Sequence, residues 1–253
     1  MLRKIFIIVI IIGALLFLAY QILDSTRNKK QQSLEIKKEF ANDSNFIKDD
    51  LTDLPLLLFE NDKLKKDYFV IMFPGDGGWR DFSDTLAKTI SSKGINVIGF
   101  NTIPYFDTLR SPEIIAKDLQ RIILNFSHAL NKKYVMLGGY SFGAEILPFI
   151  YNKLDKEYKD KVHNVFMIGP SIGADFKVSQ VYYYNPSDSK PVLPELLKTD
   201  KEKFIIFCDK QKRSLCKVLK DKDNLRTIDL NSGHLFSGKY KEVCEIIAKN
   251  IIH

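Results

Sequence analysis

The sequence predicts an α/β fold in which a mostly parallel sheet carries helices on both faces. Short runs of consecutive apolar residues, typical of strands buried on both faces, alternate with longer amphipathic segments typical of helices. Near the middle of the domain, an apolar strand ends in two glycines and leads directly into a helical pattern. The predicted strands cover residues 54–60, 68–73, 95–100, 134–139, 162–170, 204–208 and 225–230.

The predicted helices have recognisable ends. Asp81 opens the first helix, and Gly94 ends it because glycine readily adopts the left-handed conformation that follows many helices. Ser111 is a suitable N-cap for the second helix, and Pro112 occupies its first position. Helical stretches are also expected after each of the last two strands. The three clearest helices cover residues 81–94, 111–130 and 142–154.

Residues 171–200 interrupt this alternation. They contain the segment "VSQVYYYN" and three prolines, and they lack the pattern of a buried strand followed by a helix. We therefore predict a short lid or insert over one end of the sheet.

The first part of the chain is predicted to lie outside the domain. Residues 5–23 carry no charge, and a run of this length is enough for one helix to span a bilayer. Small residues that would mark a cleavage site are separated by Leu and Phe, so an uncleaved anchor is favoured over a cleavable signal peptide. We predict a transmembrane signal anchor over residues 1–23, a polar linker over 24–53 and an α/β domain over 54–253.

Composition excludes some classes of function. The net charge is +7, but the basic residues are spread along the chain without an arginine-rich block, so nucleic acid is not an expected partner. The same charge would suit a surface beside anionic lipid. The four histidines are dispersed and the three cysteines form no C-x-x-C pair. We therefore expect neither a metal centre nor a cofactor.

The central strand ends in "GGYSFGAEIL", which contains a G-x-S-x-G motif between a strand and a helix. This context is typical of a nucleophile elbow, in which a sharp turn holds the serine hydroxyl above the sheet. Ser141 is the predicted nucleophile. Gly139 and Gly143 leave room for the strand and the helix to approach each other. The N–H of Phe142 would point toward the same space and stabilise an oxyanion.

A serine nucleophile needs a base and an acid, which follow it along the chain in this kind of fold. His234 lies in a polar loop after the last predicted strand and has the expected order. Asp209 directly follows the strand 204–208, at the end of the strand where functional groups gather. Asp175, after the preceding strand, is the second candidate for the acid.

A second oxyanion donor is expected from an early strand–helix turn. The glycine-rich segment "FPGDGGW" at 73–79 is such a turn, and the N–H of Asp76 or Gly77 would be the donor. A phosphate-binding loop is the alternative, but the segment lacks the lysine and the glycine spacing of known phosphate loops.

Six segments between Phe73 and Tyr240 together resemble the VirJ/AcvB family of bacterial virulence proteins. The resemblance implies an α/β-hydrolase fold, a periplasmic domain and hydrolysis of lysyl-phosphatidylglycerol, and some family members are associated with type IV secretion. Ser141 and His234 match the family's nucleophile and histidine. The segments are "GDGGWRDFS", "SPEIIAKDL", "GYSFGAEILPF", "ADFKVS", "PVLPE" and "GHLFSGKY".

The implied substrate carries ammonium groups, which carboxylates recognise best. The candidates are Asp76, Glu145, Asp175 and Asp188, with Asp76 preferred. An aminoacylated phospholipid and the inner membrane are the expected partners.

Two classes of function remain open. The first is a serine hydrolase of the cell envelope, with a generic esterase, thioesterase or peptidase as the enzymatic alternative. The second is a binding or assembly factor that keeps the fold for protein contacts, including contacts with secretion components. In an oxidising compartment we expect Cys208 and Cys216 to pair and to fix the loop that carries Asp209. Three free thiols are the alternative.

Overall fold

A seven-stranded sheet organises the computed structural model, which describes residues 51–61, 66–178, 189–220 and 223–252. The strands are β1 (Leu56–Phe59), β2 (Tyr68–Phe73), β3 (Val97–Phe100), β4 (Tyr134–Tyr140), β5 (Val162–Ile168), β6 (Gly173–Ala174), β7 (Lys190–Pro191), β8 (Phe204–Cys208) and β9 (Arg226–Asp229). The order in the large sheet is β1-β3-β2-β4-β5-β8-β9. β1 is antiparallel to β3, and the other neighbouring pairs are parallel.

The three clearest predicted helices are present with bounds close to those predicted, and a helix also follows the last strand. The helices of the described residues are α1 (Asp81–Ser92), α2 (Thr102–Tyr105), α3 (Pro112–Ala129), α4 (Phe142–Lys153), α5 (Lys156–Lys161), α6 (Val192–Leu196) and α7 (Tyr240–Ile251). The three that were predicted most clearly are α1, α3 and α4. The predicted N-cap of α3 is present, because the hydroxyl of Ser111 accepts a hydrogen bond from the N–H of Ile114 at 3.4 Å. Gly94, beyond the end of α1, has a φ of 83°.

The two faces of the sheet carry different helices. Alternate residues of β2, including Val70 and Met72, pack into a buried cluster with side chains of α1 and α7. Phe69 points to the opposite face, where its ring contacts Phe126 of α3. Since side chains alternate between the faces of a strand, β2 is buried on both sides. The predicted α/β sheet with helices on both faces is therefore confirmed.

The predicted helical stretch after β8 is wrong for the described residues. Between β8 and β9 they contain a short 3-10 helix, Leu215–Lys217, rather than an α-helix. The N–H of Leu215 donates to Pro170 O at 2.9 Å, and a disulfide joins Cys208 to Cys216. The N–H of Leu215 is therefore bonded to the chain that follows β5 and does not donate to the carbonyl four residues earlier, as an α-helix requires.

The described parts of the insert, residues 171–178 and 189–200, contain a small antiparallel pair and a short helix. β6 pairs with β7, and α6 lies beside α4, where the amide of Asn152 donates to Glu195 O at 2.9 Å. Residues 179–188, which include the candidate Asp188, lie outside the described residues. That the insert covers one end of the sheet stays a prediction.

The predicted anchor, and the linker as far as residue 50, also lie outside the described residues. Within the part of the chain that the structure describes, no helix is both long enough and apolar enough to cross a membrane.

Candidate active site

Ser141 occupies a sharp turn between β4 and α4. Its φ of 51° and ψ of −119° fall in a region that non-glycine residues rarely adopt, and the N–H of Ser141 donates to Ile168 O at 2.9 Å. Such strain clusters at functional sites, where the surrounding structure enforces it. The turn places the side chain at the carboxyl end of the central strands, as the motif predicts.

The two glycines of the motif are required by close backbone approaches. A Cβ at Gly139 would lie 2.4 Å from the carbonyl carbon of Gly143. A Cβ at Gly143 would lie 2.3 Å from the carbonyl oxygen of Phe73 in β2. Because real side chains do not tolerate such distances, glycine at both positions lets α4 begin directly above β2 and β4.

A continuous series of hydrogen bonds joins the three predicted catalytic side chains. Ser141 Oγ lies 2.9 Å from His234 Nε2, and His234 Nδ1 lies 2.5 Å from Asp209 Oδ2. The side chain of Asp209 is fully buried, whereas that of His234 is 27 % exposed. The acid is therefore shielded from water while the base and nucleophile open toward a substrate.

Tyr140, which is absent from the residues predicted for the site, holds the histidine. Its hydroxyl donates to the carbonyl oxygen of His234 at 2.8 Å, and the two rings stack with centroids 5.3 Å apart. Burial raises the pKa of Tyr140, so the hydroxyl keeps its proton and remains a donor. The signal in the sequence was its position in G-x-S-x-G, next to the nucleophile.

Asp209 is held by the turn after β5. The amide of Gln211 donates to Gly169 O at 2.8 Å, and the N–H of Gly169 donates to Phe207 O at 2.8 Å. Gly169 has a φ of 55°, and a Cβ there would lie 2.6 Å from Asp209 Oδ2.

The structure contains the predicted Cys208–Cys216 disulfide, directly beside Asp209. Cys244 is a buried free thiol.

Asp175, the second candidate for the acid, does not contact the histidine. Its carboxylate accepts a hydrogen bond from the hydroxyl of Ser189 at 2.8 Å, between two segments of the insert. The geometry therefore favours Asp209 as the acid, and Asp175 stays a candidate for substrate binding.

The glycine-rich turn lies beside the nucleophile. The N–H of Gly78 donates to Gly75 O at 3.0 Å, and a Cβ at Gly75 would lie 3.5 Å from the Cβ of Ser141. Asp76 is exposed at the tip of this turn. Phe142 is the first residue of α4, where an N–H has no acceptor within the helix. An oxyanion hole formed by Phe142 with Asp76 or Gly77 stays a prediction.

Glu145 lies in the first turn of α4, and its N–H donates to Ser141 O at 3.0 Å. Its carboxylate accepts a hydrogen bond from the N–H of Ser171 at 3.1 Å, so it links the nucleophile's helix to the start of the insert. Burial raises the pKa of Glu145 to about 7, against a smaller opposing effect of hydrogen bonds from Ser171. The structure thus places one candidate for substrate binding close to the catalytic groups.

Within the described residues, no cluster of His, Cys, Asp and Glu side chains is arranged to hold a metal ion. His234 and Asp209 are joined to Ser141 in the series described above. The fold and the site together define a protein of the α/β-hydrolase class with a Ser–His–Asp arrangement at its nucleophile elbow.

The chain belongs to the family of the bacterial virulence protein VirJ, whose family model matches residues 67–253. The match covers nearly all of the folded domain and confirms the resemblance noted in the sequence. A search among curated proteins gave no match.

Solved structures with the same fold come from several bacteria. A lipase-esterase related protein from Clostridium acetobutylicum is 16 % identical, with a TM-score of 0.53, over 79 % of this chain and 99 % of its own. A serine hydrolase homologue from Coxiella burnetii is also 16 % identical, with a TM-score of 0.50, over 78 % and 90 %. A putative thioesterase from Silicibacter is 14 % identical, with a TM-score of 0.50, over 76 % of each chain. At these identities the similarity establishes the α/β-hydrolase fold.

Proposed function

We propose that this protein is a serine ester hydrolase of the bacterial cell envelope that removes the lysyl group from aminoacylated phosphatidylglycerol. The observation that carries the proposal is the series Ser141–His234–Asp209, with distances of 2.9 and 2.5 Å. A binding protein has no need of a serine held in strained backbone geometry with an imidazole bonded to its hydroxyl. The series therefore favours an enzyme over an assembly factor.

The chemistry follows from the order of these groups. His234 Nε2 accepts the proton of Ser141 Oγ as that oxygen attacks the ester carbonyl carbon. Asp209 accepts the hydrogen bond from Nδ1–H, which fixes the tautomer and stabilises the imidazolium that forms. The negative charge that develops on the carbonyl oxygen is stabilised by the N–H of Phe142 and by an N–H of the glycine-rich turn.

Collapse of this intermediate breaks the ester bond. The departing glycerol oxygen takes the proton from His234, and the acyl group remains on Ser141 as an ester. Water, deprotonated by His234, then attacks the acyl carbonyl. The acid is released and Ser141 recovers its proton.

Three observations support the envelope location, whereas the lipid substrate follows from the resemblance to the VirJ/AcvB family. The family is one of bacterial virulence proteins. Disulfides such as Cys208–Cys216 persist in oxidising compartments like the periplasm. The uncharged residues 5–23 suit a single inner-membrane span. Basic residues flank both ends of this run, so the disulfide rather than the charges supports a periplasmic domain. Contacts with secretion components are compatible with this location.

A generic esterase or thioesterase is the second candidate. Two structures with the same fold are described as a lipase-esterase related protein and a putative thioesterase. Such an enzyme would use the same three groups and would not require a carboxylate beside the acyl group. Substrate preference therefore separates the two candidates.

The test is hydrolysis of lysyl-phosphatidylglycerol in mixed micelles by the full chain, with released lysine quantified by mass spectrometry. We expect release by the parent protein and near-complete loss in Ser141→Ala. The double variant Ser141→Ala/His234→Ala should be little worse than Ser141→Ala, because the groups act as a unit. Rapid cleavage of short neutral esters without release of lysine from the lipid would support the generic esterase instead.

A further inference from the structure

We propose that Glu145 binds the α-ammonium group of the substrate's acyl part and makes the site selective for esters of amino acids with a free α-amine. The inference rests on the ester hydrolase proposed above and assigns a residue to the recognition of its acyl group. It implies that the α-amine is recognised whatever the amino-acid side chain.

The position of Glu145 relative to the nucleophile supports this role. Its N–H donates to Ser141 O at 3.0 Å, so the two residues are one helical turn apart. The N–H of Ser141 donates to Ile168 O at the end of β5. The carboxylate of Glu145 accepts the N–H of Ser171, three residues further along the chain, so it lies on the β5 side of the nucleophile turn. Because Cβ bonds tilt toward the helix N-terminus, the carboxylate of Glu145 is directed back toward the turn that carries Ser141.

The charge of Glu145 has no basic counterpart among the described residues. Its carboxylate accepts a hydrogen bond from the N–H of Ser171, and no Lys or Arg in the described ranges forms an ion pair with it. An amide side chain would accept the same N–H hydrogen bond without the cost of desolvating a charge. A half-buried carboxylate at this place therefore suits a cationic ligand.

The electrostatic surroundings of Glu145 agree with this interpretation. After burial and the hydrogen bonds from Ser171, the carboxylate of Asp175 raises the pKa of Glu145 further and His234 lowers it. Asp175 belongs to the insert and His234 to the loop after β9, so both segments influence the charge of Glu145. An ammonium bound beside Glu145 would favour the ionised carboxylate and would offset its desolvation.

The covalent structure of an aminoacyl ester suits a carboxylate placed next to the nucleophile. When the carbonyl carbon is bonded to Ser141 Oγ, the α-nitrogen is two bonds from that carbon. The side-chain nitrogen of a lysyl group is six bonds from it. The α-ammonium must therefore lie close to the nucleophile, beside the first helical turn that carries Glu145. The exposed Asp76 suits the more distant ammonium.

The experiment compares p-nitrophenyl esters of alanine and lysine with the same esters acetylated on the α-nitrogen. The parent protein should prefer the free-amine esters. Glu145→Gln keeps the acceptor for Ser171 and removes the charge, so it should fold. We expect roughly a tenfold to hundredfold loss in kcat/KM on both free-amine esters and little change on the acetylated ones. Glu157→Gln, the same change at an exposed position of α5, is the matched control and should retain the preference.

Two results would overturn the inference while leaving the proposed function intact. An equal loss on free and acetylated esters would show that Glu145 only fixes the insert through Ser171. An unchanged preference in Glu145→Gln would show that another group binds the amine. Glu145→Asp, which retains the charge, should restore part of the preference. If the parent protein cleaved none of the esters, the proposed hydrolase itself would fail.

Discussion

Replacing Gly169 by alanine should separate the two groups that activate the nucleophile. A Cβ at Gly169 would lie 2.6 Å from Asp209 Oδ2 and 3.1 Å from His234 Nδ1. The carboxylate would have to retreat by about 0.8 Å or more to reach an ordinary contact distance. That retreat breaks the alignment of the 2.5 Å hydrogen bond between Asp209 and His234. Misplacement on this scale should lower kcat by roughly a hundredfold.

Two further alanine substitutions separate this effect from simple backbone strain. Gly238 also has a positive φ, 74°, but a Cβ there meets nothing within 4 Å. Gly238→Ala should therefore match the strain of Gly169→Ala, about 1–2 kcal/mol, and retain activity. Gly233 precedes His234, and a Cβ there would also meet nothing within 4 Å. Gly233→Ala should therefore change neither the free energy of unfolding nor the activity strongly.

The assay for these variants is hydrolysis of a short p-nitrophenyl ester, together with urea unfolding for each protein. We expect both Gly169→Ala and Gly238→Ala to lose the free energy of backbone strain, and Gly169→Ala to lose more because its Cβ collides with the buried carboxylate of Asp209. Activity should be lost in Gly169→Ala alone. If Gly169→Ala were as active as Gly238→Ala, the hydrogen bond between Asp209 and His234 would not be needed for activity, and the reasoning would be refuted.

Two other predictions concern stability. Replacing Cys208 and Cys216 by serine should lower the free energy of unfolding by about 2–3 kcal/mol and reduce hydrolysis. A reductant should destabilise the parent protein in the same way, and it should destabilise Cys244→Ser to the same extent, because Cys244 is a free thiol. Because the pKa of Glu145 rises from 4.5 to about 7 on folding, its contribution to stability is full below about pH 4.5 and is lost as the pH rises to about 7. Urea unfolding should therefore show that the free energy of unfolding of the parent protein falls by about 2–3 kcal/mol relative to that of Glu145→Gln across this pH interval. A difference between the two proteins that does not change with pH would contradict this.

Features encoded in short segments could be predicted from the sequence. The nucleophile turn depends on Gly139, Ser141 and Gly143, which are neighbours in the chain. The N-cap at Ser111 depends on the four residues that follow it. The buried strands were recognisable because consecutive apolar residues are needed where both faces of a sheet are covered. Once the strands were recognised, Asp209 and His234 could be placed in the loops that follow them, where functional groups gather in such sheets.

Features that depend on distant segments could not be predicted. The hydrogen bond from Tyr140 to His234 spans 94 positions, and the one from Ser171 to Glu145 spans 26. No local pattern specifies such contacts. The missing helix after β8 has the same origin, because Leu215 bonds to the chain after β5 instead of continuing a helical turn.

Labelling with a fluorophosphonate probe tests the central claim most directly, because the probe reacts only with a serine activated by its neighbours. The full chain should be labelled at Ser141, as located by peptide mass spectrometry, and His234→Ala should lose nearly all of the labelling. Ser141→Ala should not be labelled at all. Absence of labelling in the folded parent protein, or labelling that persists in Ser141→Ala, would contradict the account.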